Sequence, residues 1–224
     1  MKKKQSNVKE TQLQLYAVTD RKWLKDRELS EVVEDAILGG ATFIQLREKH
    51  LEKESFLEEA RKIKAVTDRY QIPFVIDDDV EIAKEVGADG VHVGQDDMSL
   101  AQARTILGPD KIIGVSAHNL EEAKRAEEGG ADYLGVGACF STMTKTDTQA
   151  ITKEELRKIT ESVHIPVVAI GGISRDRISE LSGCGISGVA VVSAIFAEDE
   201  PREAAKQLKI EVKKYLSCAD SSEA

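Results

Sequence analysis

Several short stretches of this chain carry the side chains that hold anionic oxygens. In Gln45-Leu46-Arg47-Glu48-Lys49, strand alternation puts Gln45, Arg47 and Lys49 on one side, and two cations beside an amide suit a cluster of anionic oxygens. Taken alone, the same stretch also reads as a solvated Arg/Glu/Lys turn. Asp77-Asp78-Asp79 and Gln95-Asp96-Asp97 end two further apolar runs. If those runs are neighbouring parallel strands, their carboxylates meet at one rim, and repelling carboxylates are best tolerated around a cation. One or two carboxylates, completed by water and substrate phosphate oxygens, describe a magnesium site. Helix N-capping accounts for Asp77, Asp79 or Asp96 singly, but poorly for their coincidence.

Ser116-Ala117-His118-Asn119 offers a hydroxyl donor in Ser116. Asn119 there reads as a helix N-cap with Glu122 at the reciprocal position, and His118 as packing. Phe140-Ser141-Thr142-Met143-Thr144-Lys145-Thr146 offers hydroxyls and one ammonium, enough to hold a phosphate or carboxylate, although a Thr-rich linker has the same composition. Gly171-Gly172-Ile173-Ser174 and Val192-Ser193 complete the set, with glycines that let backbone N–H groups approach a ligand. Two anion sites with a metal between them imply two phosphorylated substrates. No Ser or Cys sits in a triad-like context that points to a nucleophile.

These stretches need a scaffold that collects them. Eight short β-branched apolar runs alternate with segments of helical period: Leu15–Val18, Phe43–Leu46, Phe74–Ile76, Gly90–Val93, Ile112–Val115, Tyr133–Val136, Val167–Ile170 and Gly188–Val192. Runs this apolar are buried on both faces, as in a parallel sheet. A glycine punctuation precedes alternate runs at Gly40, Gly87, Gly130 and Gly185, where left-handed helix caps are expected, and suggests four quarter units. Eight strand–helix units in a 224-residue chain predict a single-domain α/β (β/α)8 TIM barrel over residues 12–217, since such barrels run to about 200–400 residues. An open doubly wound sheet is the alternative, because periodicity does not show closure. In a barrel the chemistry collects at the C-terminal ends of the strands, where every stretch named above falls. Residues 1–11 read as a flexible N-terminal extension and 218–224 as a flexible tail.

Composition narrows the partners. A net charge of -9 with 4% aromatics provides neither a basic stripe nor a stacking platform, which argues against nucleic acid. No run approaches the roughly 18 apolar residues of a membrane span, and the basic N-terminus lacks the apolar stretch of a signal peptide, so a cytoplasmic location is expected. Cys139, Cys184 and Cys218 form no C-x-x-C pair and suggest neither a disulfide framework nor structural zinc. Self-association into a homo-oligomer is compatible with the sequence, although a closed barrel has no sheet edge to dictate a dimer.

Seven motifs, in order over roughly residues 13–210, resemble the thiamine-phosphate synthase (thiamine-phosphate pyrophosphorylase) family. They are Gln45–Lys49, Gly87–Asp97, Gly114–His118, Asp132–Gly137, Thr142–Lys145, Val168–Ile173 and Val189–Ser193. The resemblance implies a (β/α)8 transferase that joins hydroxymethylpyrimidine diphosphate to hydroxyethylthiazole phosphate, or its carboxylated form, releasing pyrophosphate and thiamine phosphate. By motif position it implies Gln45, Arg47 and Lys49 for the pyrimidine substrate and its diphosphate. Asp78 and Asp97 fall to Mg2+, and Ser116 and Lys145 to the diphosphate. Thr142, Thr144, Gly172, Val192 and Ser193 surround the thiazole phosphate. Arg47, Lys49, Ser116 and Lys145 are the catalytic set.

Two departures stand out. The family usually shows Asn-Asp-Arg where this chain has Asp77-Asp78-Asp79, and a carboxylate at the substrate-binding position 77 should repel a diphosphate. Ala138-Cys139-Phe140-Ser141 replaces a stretch where the family tends to have prolines, which predicts a more mobile loop. A thiazole tautomerase of the same fold, or a non-catalytic ligand-binding paralogue, are the competing readings.

Overall fold

The computed structural model describes residues 6–140 and 150–216. Eight parallel strands close on themselves in chain order: β1 Leu15–Val18, β2 Phe43–Leu46, β3 Phe74–Asp77, β4 Gly90–Val93, β5 Ile112–Ala117, β6 Tyr133–Val136, β7 Val167–Ile170 and β8 Gly188–Val191. Closure is explicit in the register, where Tyr16 of β1 is opposite Phe43 of β2 on one side and Ala190 of β8 on the other. The barrel reading holds and the open-sheet alternative does not.

Around the strands run α1 Leu29–Gly39, α2 Lys53–Tyr70, α3 Val80–Glu85, α4 Leu100–Leu107, α5 Leu120–Glu128, α6 Lys153–Ser162, α7 Ser193–Phe196 and α8 Pro201–Tyr215. A 3-10 helix, Arg175–Leu181, takes the place of a full helix after β7. Each of the four punctuating glycines has positive φ: 114° at Gly40, 68° at Gly87, 89° at Gly130 and 72° at Gly185. Left-handed backbone there turns each helix back into the next strand, which a side chain would resist.

Strand alternation divides the apolar residues into two cores. Ile44, Leu46, Phe74, Ile76, Ile113 and Leu134 point outward into a ring shared with the helices. Tyr16, Phe43, Val75, Ile112, Tyr133 and Val168 point inward and fill the barrel, leaving its upper end to polar side chains.

From Ser6 onward, the segment expected to be untethered is instead tied to the barrel floor. Ser6 Oγ donates to Asp132 O at 2.7 Å, Asn7 N–H to Asp132 Oδ1 at 3.0 Å, and Asn7 Nδ2 to Lys111 O at 3.0 Å. Val8 is buried, and Arg104 pairs with Asp132 at 2.6 Å. The expectation missed these bonds because their partners lie more than a hundred residues away. α8 ends at Tyr215, and residues 218–224 lie outside the described residues.

Candidate active site

The rim at the C-terminal ends of the strands is assembled from inward side chains, one or two per strand. On β2 the buried Gln45 is followed by Arg47, whose backbone N–H donates to Thr19 Oγ1 at 3.0 Å. Between the two cations, Glu48 points away and binds Arg21 at 2.8 Å. The alternation of Arg47, Glu48 and Lys49 therefore separates an inner pair of cations from an outer ion pair, unlike a solvated turn.

Asp77 ends β3 on the inner side, with its side chain only 11% exposed. Its Oδ2 lies 3.1 Å from Lys49 Nζ and 3.5 Å from Arg47 Nε. Lys49 also pairs with Asp78. Burial works against charge on Lys49, but the bonds to Asp78 and Asp77 outweigh it and hold the ammonium's pKa above its ordinary value. Asp78 is left-handed, with φ 64°, and its N–H donates to His92 O at 2.8 Å. That turn directs its carboxyl toward Asp97, with which it shares a hydrogen bond. Asp97 is anchored from below, accepting the Gly94 N–H at 2.7 Å. Burial, the bond to Asp97 and the charge of Asp77 together raise the Asp78 pKa to about 6, against the pull of Lys49. Asp79 is different, because it caps α3 by accepting the Ile82 N–H at 2.8 Å.

The sequence therefore brings two carboxylates together beside two cations. Among the described residues no group of three or more His, Cys, Asp or Glu forms a closed metal cage. Asp78 and Asp97 fit a hard cation that takes its remaining ligands from water and phosphate oxygens, which is how Mg2+ is commonly bound.

On β5, Ser116 faces the same pocket, and Asn119 caps α5 by accepting the Glu122 N–H at 2.9 Å. The reciprocal Glu122 carboxylate takes the His118 N–H at 2.8 Å, lies 3.0 Å from His118 Nδ1 and accepts Asn119 Nδ2 at 2.7 Å, so it holds both residues that precede α5. Opposite, Gly171, Gly172, Val192 and Ser193 line the wall formed by β7 and β8. Gly171 and Gly172 have φ of 96° and 63°, a backbone that favours glycine. Ala138–Phe140, expected to be mobile for want of prolines, is paired to the end of β7 as far as it is described. Cys139 N–H donates to Ile170 O at 2.9 Å and Phe140 N–H to Gly171 O at 3.0 Å. Thr142, Thr144 and Lys145 lie outside the described residues.

The pocket also contains residues that sequence reasoning passed over. Tyr16 and His92 line it, and Tyr133 lies behind His92, 2.9 Å from Nδ1; His118, expected as packing, also lines the pocket with its side chain 37% exposed. Tyr16, His92 and Tyr133 occupy inward strand positions and read in sequence as core. The available signal was Gly114 and Gly135, two glycines inside neighbouring strands.

Residues 15–195 match the family model described as thiamine monophosphate synthase. A thiamine-phosphate synthase of Clostridium acetobutylicum is 49% identical over 207 residues, 92% of this chain and 98% of that protein. One from Alkaliphilus oremlandii is 51% identical over 199 residues, 89% of this chain and 95% of that protein. Among solved structures, a thiamine phosphate pyrophosphorylase from Pyrococcus furiosus superposes with a TM-score of 0.86 at 42% identity, covering 92% of this chain and 98% of that one. More distant barrels, such as a geranylgeranylglyceryl phosphate synthase from Thermoplasma acidophilum at 17% identity and TM-score 0.67, share the fold alone. The chain belongs to the thiamine monophosphate synthase family.

Proposed function

We propose that this chain is a thiamine-phosphate synthase, joining hydroxymethylpyrimidine diphosphate to hydroxyethylthiazole phosphate, or its carboxylated form, with release of pyrophosphate. The observation that carries the reading is the convergence of Arg47, Lys49, Asp78 and Asp97 on one rim, in a chain about half identical to proteins of that name. A tautomerase of the same fold has little use for paired cations beside paired carboxylates. No helix among the described residues is long and apolar enough to cross a membrane.

Gln45, Arg47 and Lys49 hold the pyrimidine substrate, the two cations gripping its diphosphate, with Ser116 and Lys145 donating to the same oxygens. Asp78 and Asp97 would hold Mg2+, which when bound would neutralise charge on the diphosphate. The carbon–oxygen bond breaks with its electron pair going to the departing pyrophosphate, where Arg47, Lys49 and Lys145 stabilise the developing charge. The pyrimidine-methyl cation left behind is captured by the thiazole nitrogen, forming the new carbon–nitrogen bond. No protein nucleophile or strong base is required. Gly172, Val192, Ser193, Thr142 and Thr144 hold the thiazole phosphate, and keeping water from the reacting carbon preserves the cation for capture.

The test is a coupled assay of the purified protein that follows pyrophosphate release and thiamine phosphate formation. Product that requires both substrates and Mg2+ is expected. Absence of product with thiazole phosphate still bound would refute the synthase in favour of a tautomerase or a binding protein.

A further inference from the structure

Four side chains from strands β1, β4, β5 and β6 form one hydrogen-bonded line through the barrel. Tyr16 Oη lies 2.8 Å from Tyr133 Oη, Tyr133 Oη lies 2.9 Å from His92 Nδ1, and His92 Nε2 lies 2.9 Å from Ser116 Oγ. Backbone register makes room for it. Gly114 sits between His92 and Tyr133 in the sheet, and Gly135 is opposite Ser116. A Cβ on Gly114 would meet Tyr133 Cζ at 2.1 Å, and one on Gly135 would meet His92 Cε1 at 3.0 Å.

The direction of the line follows from its buried end. Tyr16 and Tyr133 are 2% and 0% exposed, and burial pushes both phenols above their ordinary pKa, so both carry protons. Among the described residues, the hydrogen-bond partner of the Tyr16 hydroxyl is Tyr133. A buried O–H without an acceptor is costly, so Tyr16 donates to Tyr133. Tyr133 must then donate onward, which makes His92 Nδ1 an acceptor. A neutral imidazole has one N–H, so His92 carries it on Nε2 and donates it to Ser116 Oγ. The Ser116 proton is thereby turned away from His92 and toward the pocket.

We infer that His92 is a positioning residue, fixed by Tyr16 and Tyr133 as its Nε2–H tautomer, which holds the Ser116 hydroxyl as a one-way donor to an anionic oxygen of the bound substrate. Reversing the line would strand the Tyr16 proton, which corresponds to a tautomer preference of at least about fivefold. A neutral donor aimed in advance at developing negative charge needs no reorganisation when the bond breaks. The identity of that oxygen, on the departing diphosphate, rests on the proposed function. The tautomer does not.

The first measurement is 15N NMR of the full chain labelled at its four histidines, with His92 assigned by its loss in His92→Gln. A protonated Nε2 and a bare Nδ1 are expected at neutral pH, and the opposite tautomer or an imidazolium overturns the inference. The second is a double-mutant cycle on turnover. Ser116→Ala and His92→Leu should each lower kcat about tenfold or more, and the double variant should be no worse than Ser116→Ala alone. His92→Gln, which can still donate an amide proton to Ser116, should recover part of the loss. Additive losses would overturn the coupling. Should the wild-type chain make no product, inorganic pyrophosphate binding replaces kcat in the same cycle. An intact tautomer with weakened pyrophosphate binding in Ser116→Ala then upholds the inference while the synthase reading fails.

Discussion

Replacing Asp77 with asparagine should tighten the grip of this site on a diphosphate. The carboxylate lies 3.1 Å from Lys49 Nζ and 3.5 Å from Arg47 Nε, so before substrate arrives it is an anion that both cations serve, alongside Asp78 on Lys49. A phosphate oxygen on the far side of Lys49 adds a second contact of about 3 Å, which puts it roughly 6 Å from Asp77. At that distance one pair of like charges repels by about 2.8 kcal/mol at an effective dielectric of 20 and about 1.4 at 40. The lower figure suits a rim where Lys49 is 36% exposed. Against it stands the help the carboxylate gives in holding both cations in place, which an asparagine amide oxygen supplies only in part. The expectation for Asp77→Asn is tighter binding, with the full repulsion of about 1.4 kcal/mol, or tenfold in the Kd of inorganic pyrophosphate, as its ceiling. Calorimetric titration at fixed Mg2+ measures it directly, and unchanged or weaker binding would refute the reasoning by showing that the carboxylate is part of the cradle.

Asp97→Asn should lower turnover in a way that excess Mg2+ partly restores, read from the metal dependence of the coupled assay; an unchanged dependence removes Asp97 from the metal site. Because the Asp78 carboxyl is raised to about 6, its stabilising contribution is complete below its ordinary value and lost as pH rises through about 6. Added Mg2+ should therefore raise Tm at about pH 7.5 and much less at about pH 5, where protons compete for the same oxygens. On the barrel floor, Asp132→Ala leaves Arg104 partly buried without its counterion and strips the acceptor of Ile113 and Asn7 N–H. Urea unfolding should register a loss of about 3–5 kcal/mol.

The eight strands were legible because buried parallel strands must be continuously apolar, and the four left-handed glycines because a helix that reverses into a strand needs them. Gln45, Arg47, Lys49, Asp77 and Ser116 were legible by parity, each falling on the inward face at a strand end. Closure was not, since no local pattern tells β1 that β8 will lie beside it. The pairing of Asp77 with Lys49 and Arg47 was also hidden. Sequence gave three neighbouring acidic residues, and only the fold separates Asp77 facing the cations from Asp78 facing Asp97 and Asp79 capping α3. The Tyr16–Tyr133–His92 line escaped for the same reason, as Tyr16 and Tyr133 are 117 residues apart.

The tether at the barrel floor bears on how the chain assembles during synthesis. Ser6 and Asn7 are made before any strand of the barrel, yet their acceptor, Asp132, comes 126 residues after Ser6. At about 5–20 residues per second, the leading segment waits roughly 6–25 s for its seat to emerge. β1 waits longer still for the far side of its ladder, since Leu15 lies opposite Val189. The barrel therefore cannot lock from its beginning outward; its first strand has one edge unpaired until β8 has been made.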